Sequence, residues 1–152
     1  MNLPHLAGDA KLDRAAQLAQ RGQLTEASSL CQQIVRSSPE NARAWHLLGL
    51  TAMQQGQHQQ ALRSLQKAIF LEPSKAEFYN HTGVLHFSLG NLEQGIACLQ
   101  KALTLEPQSV DTRYNLALGL QKLNRWEAAI KEYQQLIDRQ SHFVPALVAH
   151  PL

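Results

Sequence analysis

The chain has 152 residues, and its 14 Lys and Arg against 12 Asp and Glu leave a formal net charge of +2. So small an imbalance provides no field to steer nucleic acid or an acidic membrane. The 44% hydrophobic content is enough for one core. Cys31 and Cys98 lie in no metal-ligand spacing, which reads as a pair of buried free thiols. The N-terminus lacks an apolar signal core and no stretch approaches the length of a membrane span, so a cytoplasmic protein is expected.

Residues 1–7 read as a short leader. A first helix is expected from about Asp9 to Arg21, then a turn at Gly22. A second helix runs from about Thr25 to Ser37, burying Ala27, Leu30, Cys31, Ile34 and Val35. It stops before Pro39, because the residue preceding a proline is pushed out of helical geometry. The same grammar restarts at Ala42, Lys75 and Val110. Pro39, Pro73 and Pro107 are 34 residues apart, as are Gly22, Gly56 and Gly90, with Asn124 next in line. Asn tolerates the left-handed backbone best after Gly. Small residues keep step at Ala15, Gly49, Gly83 and Ala117, and again at Ala27, Ala61, Gly95 and Ala129. Columns locked to one period mark an internal repeat.

Within that frame Ser74 and Glu77 fit a capping box for the third unit. The glutamine-rich run from Gln54 to Gln60 falls at a solvated turn. Lys11 and Arg14 hold the places of Trp45 and Leu48, the polar substitution a solvated terminal unit needs, so the array is expected to begin here. After Arg139 the chain starts like a fifth first helix and is stopped at Pro151. Tyr133, Leu136 and Ile137 then face outward under a short cover made by Phe143, Val144, Leu147 and Val148.

Trp45, Leu48, Gly49, Ala61, Leu65, Ala68 and Pro73 carry the pattern of the tetratricopeptide repeat (TPR) family. So do Tyr79, Gly83, Leu99, Ala102 and Pro107, and then Leu116, Ala117, Ala129, Tyr133 and Leu136. Ser141 stands where the fourth proline would fall. The chain resembles that family from about Gly8 to Phe143. The resemblance implies an all-α, right-handed superhelical solenoid of four helix-turn-helix units, 8–41, 42–75, 76–109 and 110–143. Residues 144–152 are left as a truncated capping or fifth-repeat segment. It also implies that the first helices line a concave groove that takes a partner. Projecting the groove places gives Arg43, His46, Leu50, Met53, Asn80, Val84, Phe87, Tyr114 and Leu118 as the partner-binding residues. Leu12, Ala16, Ala19 and Gln121 hold the corresponding places in the outer units.

Other readings are weaker. The chain has no Gly-rich phosphate loop, HExxH or GxSxG. His46 and His81 lie on first helices without a recognisable ligand set, and His86 reads as a packed, hydrogen-bonded core histidine. Asp9, Glu77 and Asp111 suit the positive ends of helices. Trp45, Tyr79, Trp126 and Tyr133 read as core or turn packing. The terminal-carboxylate clamp of chaperone-binding relatives would need Lys, Asn and Arg. Leu12, Ala16, Leu47, Glu77 and His81 stand there, or His46, Leu50, His81, Asp111 and Asn115 one unit later. The asparagine ladder of sugar-transferase relatives finds only Asn115. The expected function is a non-catalytic protein-interaction module, with no cofactor, metal, nucleic acid or membrane partner. The alternatives are a recruiting arm of a larger, transferase-like enzyme and a scaffold that self-associates at its C-terminal edge.

Overall fold

The computed structural model of the protein describes residues 3–143, with side chains from residue 8 to residue 139. These residues form eight helices in four antiparallel pairs: α1 (Leu3–Gln20) with α2 (Leu24–Ser37), α3 (Ala42–Gln54) with α4 (His58–Leu71), α5 (Ala76–Ser88) with α6 (Leu92–Leu105), and α7 (Val110–Lys122) with α8 (Trp126–Phe143). No strand occurs among the described residues. The turn within each pair depends on one left-handed residue: Gly22, Gly56 and Gly90 have φ of 80°, 77° and 81°, and Asn124 has 59°. The fourfold turn column is therefore a backbone requirement, which Asn meets at modest cost.

The second helices end where the prolines dictate. Ser37, Leu71 and Leu105 are the last residues of α2, α4 and α6, each two positions before a proline. With Ser141 in the proline place, α8 runs on to Phe143. The sequence reading breaks α8 after Arg139; the helix continues because nothing there forbids the next turn. Residues 144–152, the expected stub, lie outside the described residues. At the other end α1 begins at Leu3, inside the segment read as a leader, and Pro4 in its first turn suits a helix start. Asp9 accordingly sits beyond the first turn, whereas Glu77 and Asp111 do occupy first turns.

The caps correct a second expectation. The N-caps of α3, α5 and α7 are Asn41, Lys75 and Ser109, again 34 residues apart. The Asn41 side chain accepts from the Ala44 N–H at 3.1 Å, and the Ser109 hydroxyl accepts from Thr112 N–H at 3.3 Å. Lys75 has no oxygen to offer, and Ser74 sits one residue too early, so the Ser74–Glu77 box does not form. The repeat register overrides the local signal.

Three side chains of different chemistry do one job at each unit boundary. Trp45 Nε1 donates to Pro39 O at 2.8 Å, Tyr79 Oη to Pro73 O at 2.9 Å, and Arg113 Nη2 to Pro107 O at 3.1 Å. Arg113 is buried and forms an ion pair with Glu132 at 2.6 Å.

Packing within and between pairs follows the small-residue columns. A Cβ on Gly83 would stand 2.9 Å from Gly95 O and 2.9 Å from Leu99 Cγ, so the backbones of α5 and α6 are in direct contact. Gly95 and Gly119 both open space for one ring: a Cβ on either would fall 2.4 Å or 2.2 Å from a Phe87 ring atom. Ile96, Leu99, Leu116, Leu120 and Ala129 form one buried cluster on which Phe87 and Tyr133 pack. Tyr133 is half-buried against this cluster, as its reading as a packing residue expects and its reading as an outward residue does not, and its hydroxyl donates to Gln121 Oε1 at 3.1 Å. Trp126, expected in packing, is 53% exposed. His86 is buried as expected, but its Nδ1 has no hydrogen-bond partner. Cys31 is fully buried, which pushes its thiol up to about 12, while Cys98 is half-buried.

Replacing Gly83 by Val tests the backbone contact. The added carbons meet a carbonyl that cannot move without parting α5 from α6, so stability should fall by about 1–3 kcal/mol, read by thermal or denaturant unfolding. Gly8→Val, where a Cβ would meet nothing within 4 Å, should change it far less.

Candidate partner-binding groove

The inner face of the array is identified by which helices touch. Among the described residues α1 touches α3, α3 touches α5 and α5 touches α7, whereas no second helix reaches another second helix. First helices are thus crowded on the inside of the curve and second helices splayed on the outside. The surface left on the first helices is concave.

Each first helix leaves a stripe at spacings of three and four residues on that face. In α3 it is Arg43, Leu47, Leu50 and Gln54; in α5 Glu77, His81, Val84 and Ser88; in α7 Asp111, Asn115, Leu118 and Lys122. Leu50, Val84 and Leu118 are half-buried and advance by the 34-residue register into one track. Arg43 is exposed at one end of the groove. Tyr114 is 49% exposed near the other, its ring edge-on to Tyr133 with centroids 6.3 Å apart.

The remaining predicted residues are used differently. Met53 is half-buried against Ala52, Leu65 and Leu85, and Phe87 fills the space beside Gly95 and Gly119, so both hold helices together. His46 is buried, its ring 4.7 Å from that of Phe78. Its Nε2 lies 2.9 Å from His81 Nδ1. Asn80 is half-buried and accepts from Asn115 Nδ2 at 3.1 Å.

These two contacts share a register that the projection missed. The fifth place of one unit meets the sixth place of the next, 35 residues on: His46 with His81 and Asn80 with Asn115. One unit earlier Leu12 and Leu47 lie in a common apolar cluster. The sixth-place residues Leu47, His81 and Asn115 are half-buried on the inner face and belong to the groove. The available signal was the matching chemistry at an interval of 35 rather than 34: Leu with Leu, His with His, Asn with Asn.

The two imidazoles form a neutral pair, one ring donating its N–H and the other accepting. Burial, then the neighbouring His81 and Arg43, depress His46 from 6.5 to about 3. Burial also lowers His81, with Glu77 partly offsetting it. Among the described residues no three His, Cys, Asp or Glu side chains converge as a metal site. No described helix is long and apolar enough to cross a membrane.

Paired helices in a 34-residue register, left-handed turn residues and a first-helix groove define a TPR solenoid. More particularly, the family described as the cytochrome c-type biogenesis protein H TPR domain matches residues 29–141, and the chain belongs to that family. Comparison with curated proteins finds no match. Among solved structures, a crystal structure of MamA superposes with a TM-score of 0.84 at 19% identity, covering 91% of this chain and 81% of that one. MamA from Desulfovibrio magneticus RS-1 gives 0.82 at 19% identity, covering 89% and 76%. Both show the fold. A mutant of the Thermobaculum terrenum O-GlcNAc transferase gives 0.76 at 27% identity over 79% of this chain, which spans 23% of that enzyme.

The histidine pair gives stability a pH dependence of defined sign. A His whose folded value lies below its unfolded one binds more protons when unfolded. Its contribution is complete above 6.5 and is lost as pH falls below that value. For His46 the loss at pH 5.5 is about 1 kcal/mol, with His81 and His86, both lowered by burial, adding in the same direction. The fall in melting temperature between pH 7.5 and 5.5 should be smaller in His46→Leu than in the parent.

Proposed function

We propose that the chain is a non-catalytic interaction module that takes a partner peptide or protein along its concave face. TPR folds are typical of protein-interaction modules, and the observation that carries the specific reading is the track formed by Leu50, Val84 and Leu118. These three half-buried apolar residues, aligned by the repeat, have no duty in pairing first with second helices. The sixth-place residues flank them with an imidazole at His81 and an amide at Asn115, groups able to bond a partner's backbone. Arg43, Glu77 and Asp111 lie one turn beyond the sixth-place residues, toward the helix starts, as charged positions. Such a surface binds and orients. It has no nucleophile paired with a base and so no basis for acid–base or covalent chemistry.

A second reading, a recruiting arm of a larger enzyme, draws on the likeness to one segment of the O-GlcNAc transferase. It uses the same groove in the same way and differs only in what the groove is joined to.

Val84→Glu tests the groove. The residue faces the concavity, so circular dichroism should remain that of the parent. A partner captured by the parent should bind at least tenfold more weakly, because the new carboxylate enters a desolvated contact unpaired. An unfolded variant would make Val84 a core residue and end the groove reading. A folded variant with full binding would move the site elsewhere.

A further inference from the structure

The two sides of the groove differ in charge. The loops that enter α3, α5 and α7 are aligned by the repeat as 38–43, 72–77 and 106–111. The first holds Glu40 and Arg43, the second Glu72, Lys75 and Glu77, and the third Glu106 and Asp111, so their formal charges are 0, −1 and −2. The turns at the other ends of the first helices are 20–23, 54–57, 88–91 and 122–125. They hold Arg21, Lys122 and Arg125 and no carboxylate. A chain with a net charge of +2 thus has an acidic rim along one side of its concave face, strongest at units 3 and 4.

The needs of the helices do not account for this rim. Glu77 and Asp111 occupy first turns, where the helix dipole favours an anion. Glu72 and Glu106 are the C-caps of α4 and α6, at the end where the dipole favours a cation. Among the described residues neither carboxylate has an ion pair or hydrogen bond, and those of Glu40 and Asp111 have none either. Glu40 and Glu72 line one cavity with Leu12 and Arg43, and Glu106 lines the equivalent cavity one unit on with Lys75 and Glu77. Each cavity opens beside Arg43 or Glu77, one turn from the groove wall. The two cations of the rim, Arg43 and Lys75, each share their cavity with at least two carboxylates.

We propose that the groove takes an extended segment of another protein that carries Lys or Arg beside its apolar residues, with those cations on the rim formed by Glu72, Glu77, Glu106 and Asp111. This rests on the groove reading above and adds the chemistry of the occupant. The wall groups His81 and Asn115 favour an extended chain, because a helix already bonds its own backbone internally. Neighbouring first helices lie about 8–10 Å apart and an extended chain rises about 3.3 Å per residue. About every third residue therefore meets the track of Leu50, Val84 and Leu118, and a cation between them on the rim side meets carboxylates. Complementary charge of this kind rejects anionic segments and fixes the register of a cationic one.

The probes are synthetic peptides of four Leu-Ser-Xaa triplets, with Lys, Gln or Glu as Xaa, titrated into the full chain by fluorescence anisotropy. The Lys peptide should bind roughly tenfold more tightly than the Gln peptide, and the Glu peptide more weakly still. Raising salt from about 50 to about 300 mM should remove most of the Lys advantage. In the double variant Glu72→Lys/Glu106→Lys the order should reverse, the Glu peptide gaining what the Lys peptide loses. That variant puts cations where the dipoles of α4 and α6 favour them, so its melting temperature should not fall. Equal binding of the three peptides, all of it lost in Val84→Asn, overturns the charge inference and leaves the groove reading standing. Binding of the Lys peptide that persists in Val84→Asn overturns both, since the rim then acts without the track. Absence of Lys-peptide binding, or an order unchanged in the double variant, overturns the proposal.

Discussion

The structure depends on how closely two helices of a pair can approach. Gly83 and Gly95 bring the backbones of α5 and α6 into contact, and the equivalent columns hold only Ala and Gly. A side chain larger than a methyl group at these points would part the helices and change the angle at which the next pair stacks. Because every unit repeats the approach, the error would accumulate along the array. The groove inherits its regularity from this: Leu50, Val84 and Leu118 line up because all three pairs meet through Ala or Gly at these columns.

Contacts between neighbouring units are less uniform, and this is where the molecule has individual character. Units 2 and 3 are joined on the inner face by two imidazoles, units 3 and 4 by two amides, and units 1 and 2 by leucines. The first two contacts are directional and the third is not. One frame therefore carries three different joints, and the chemistry of each reaches the groove wall through its sixth-place residue.

The frame was legible in the sequence because backbone requirements leave few choices: Gly or Asn at a left-handed turn, proline after a helix, a small residue at a close approach. The details that failed are those set by neighbours. Ser74 looked like a cap until the register placed the cap at Lys75. Phe87 looked like a groove residue on helical spacing alone, but Gly95 and Gly119, one of them a unit away, leave a space that its ring fills. His46 looked accessible until Phe78 of the next unit covered it. Trp126 looked like a packing residue, yet it is exposed, whereas Tyr133 packs back on α7 and bonds Gln121. Periodicity specifies what each position must permit; which surface a side chain ends on depends on the size of its partner one unit away.

The bonds from Trp45, Tyr79 and Arg113 to the proline carbonyls carry a consequence for how such chains tolerate change. An indole, a phenol and a guanidinium are interchangeable there because the fold asks only for a flat side chain with a donor at its far end. The guanidinium brings a charge into a buried place, and Glu132 neutralises it from a position where the other units have Leu30, Ser64 and Cys98. A substitution that looks radical at one site thus becomes neutral through a second site 19 residues away. Two repeats can share a backbone and a hydrogen bond while sharing neither residue, so identity between units understates how alike they are in what each position does.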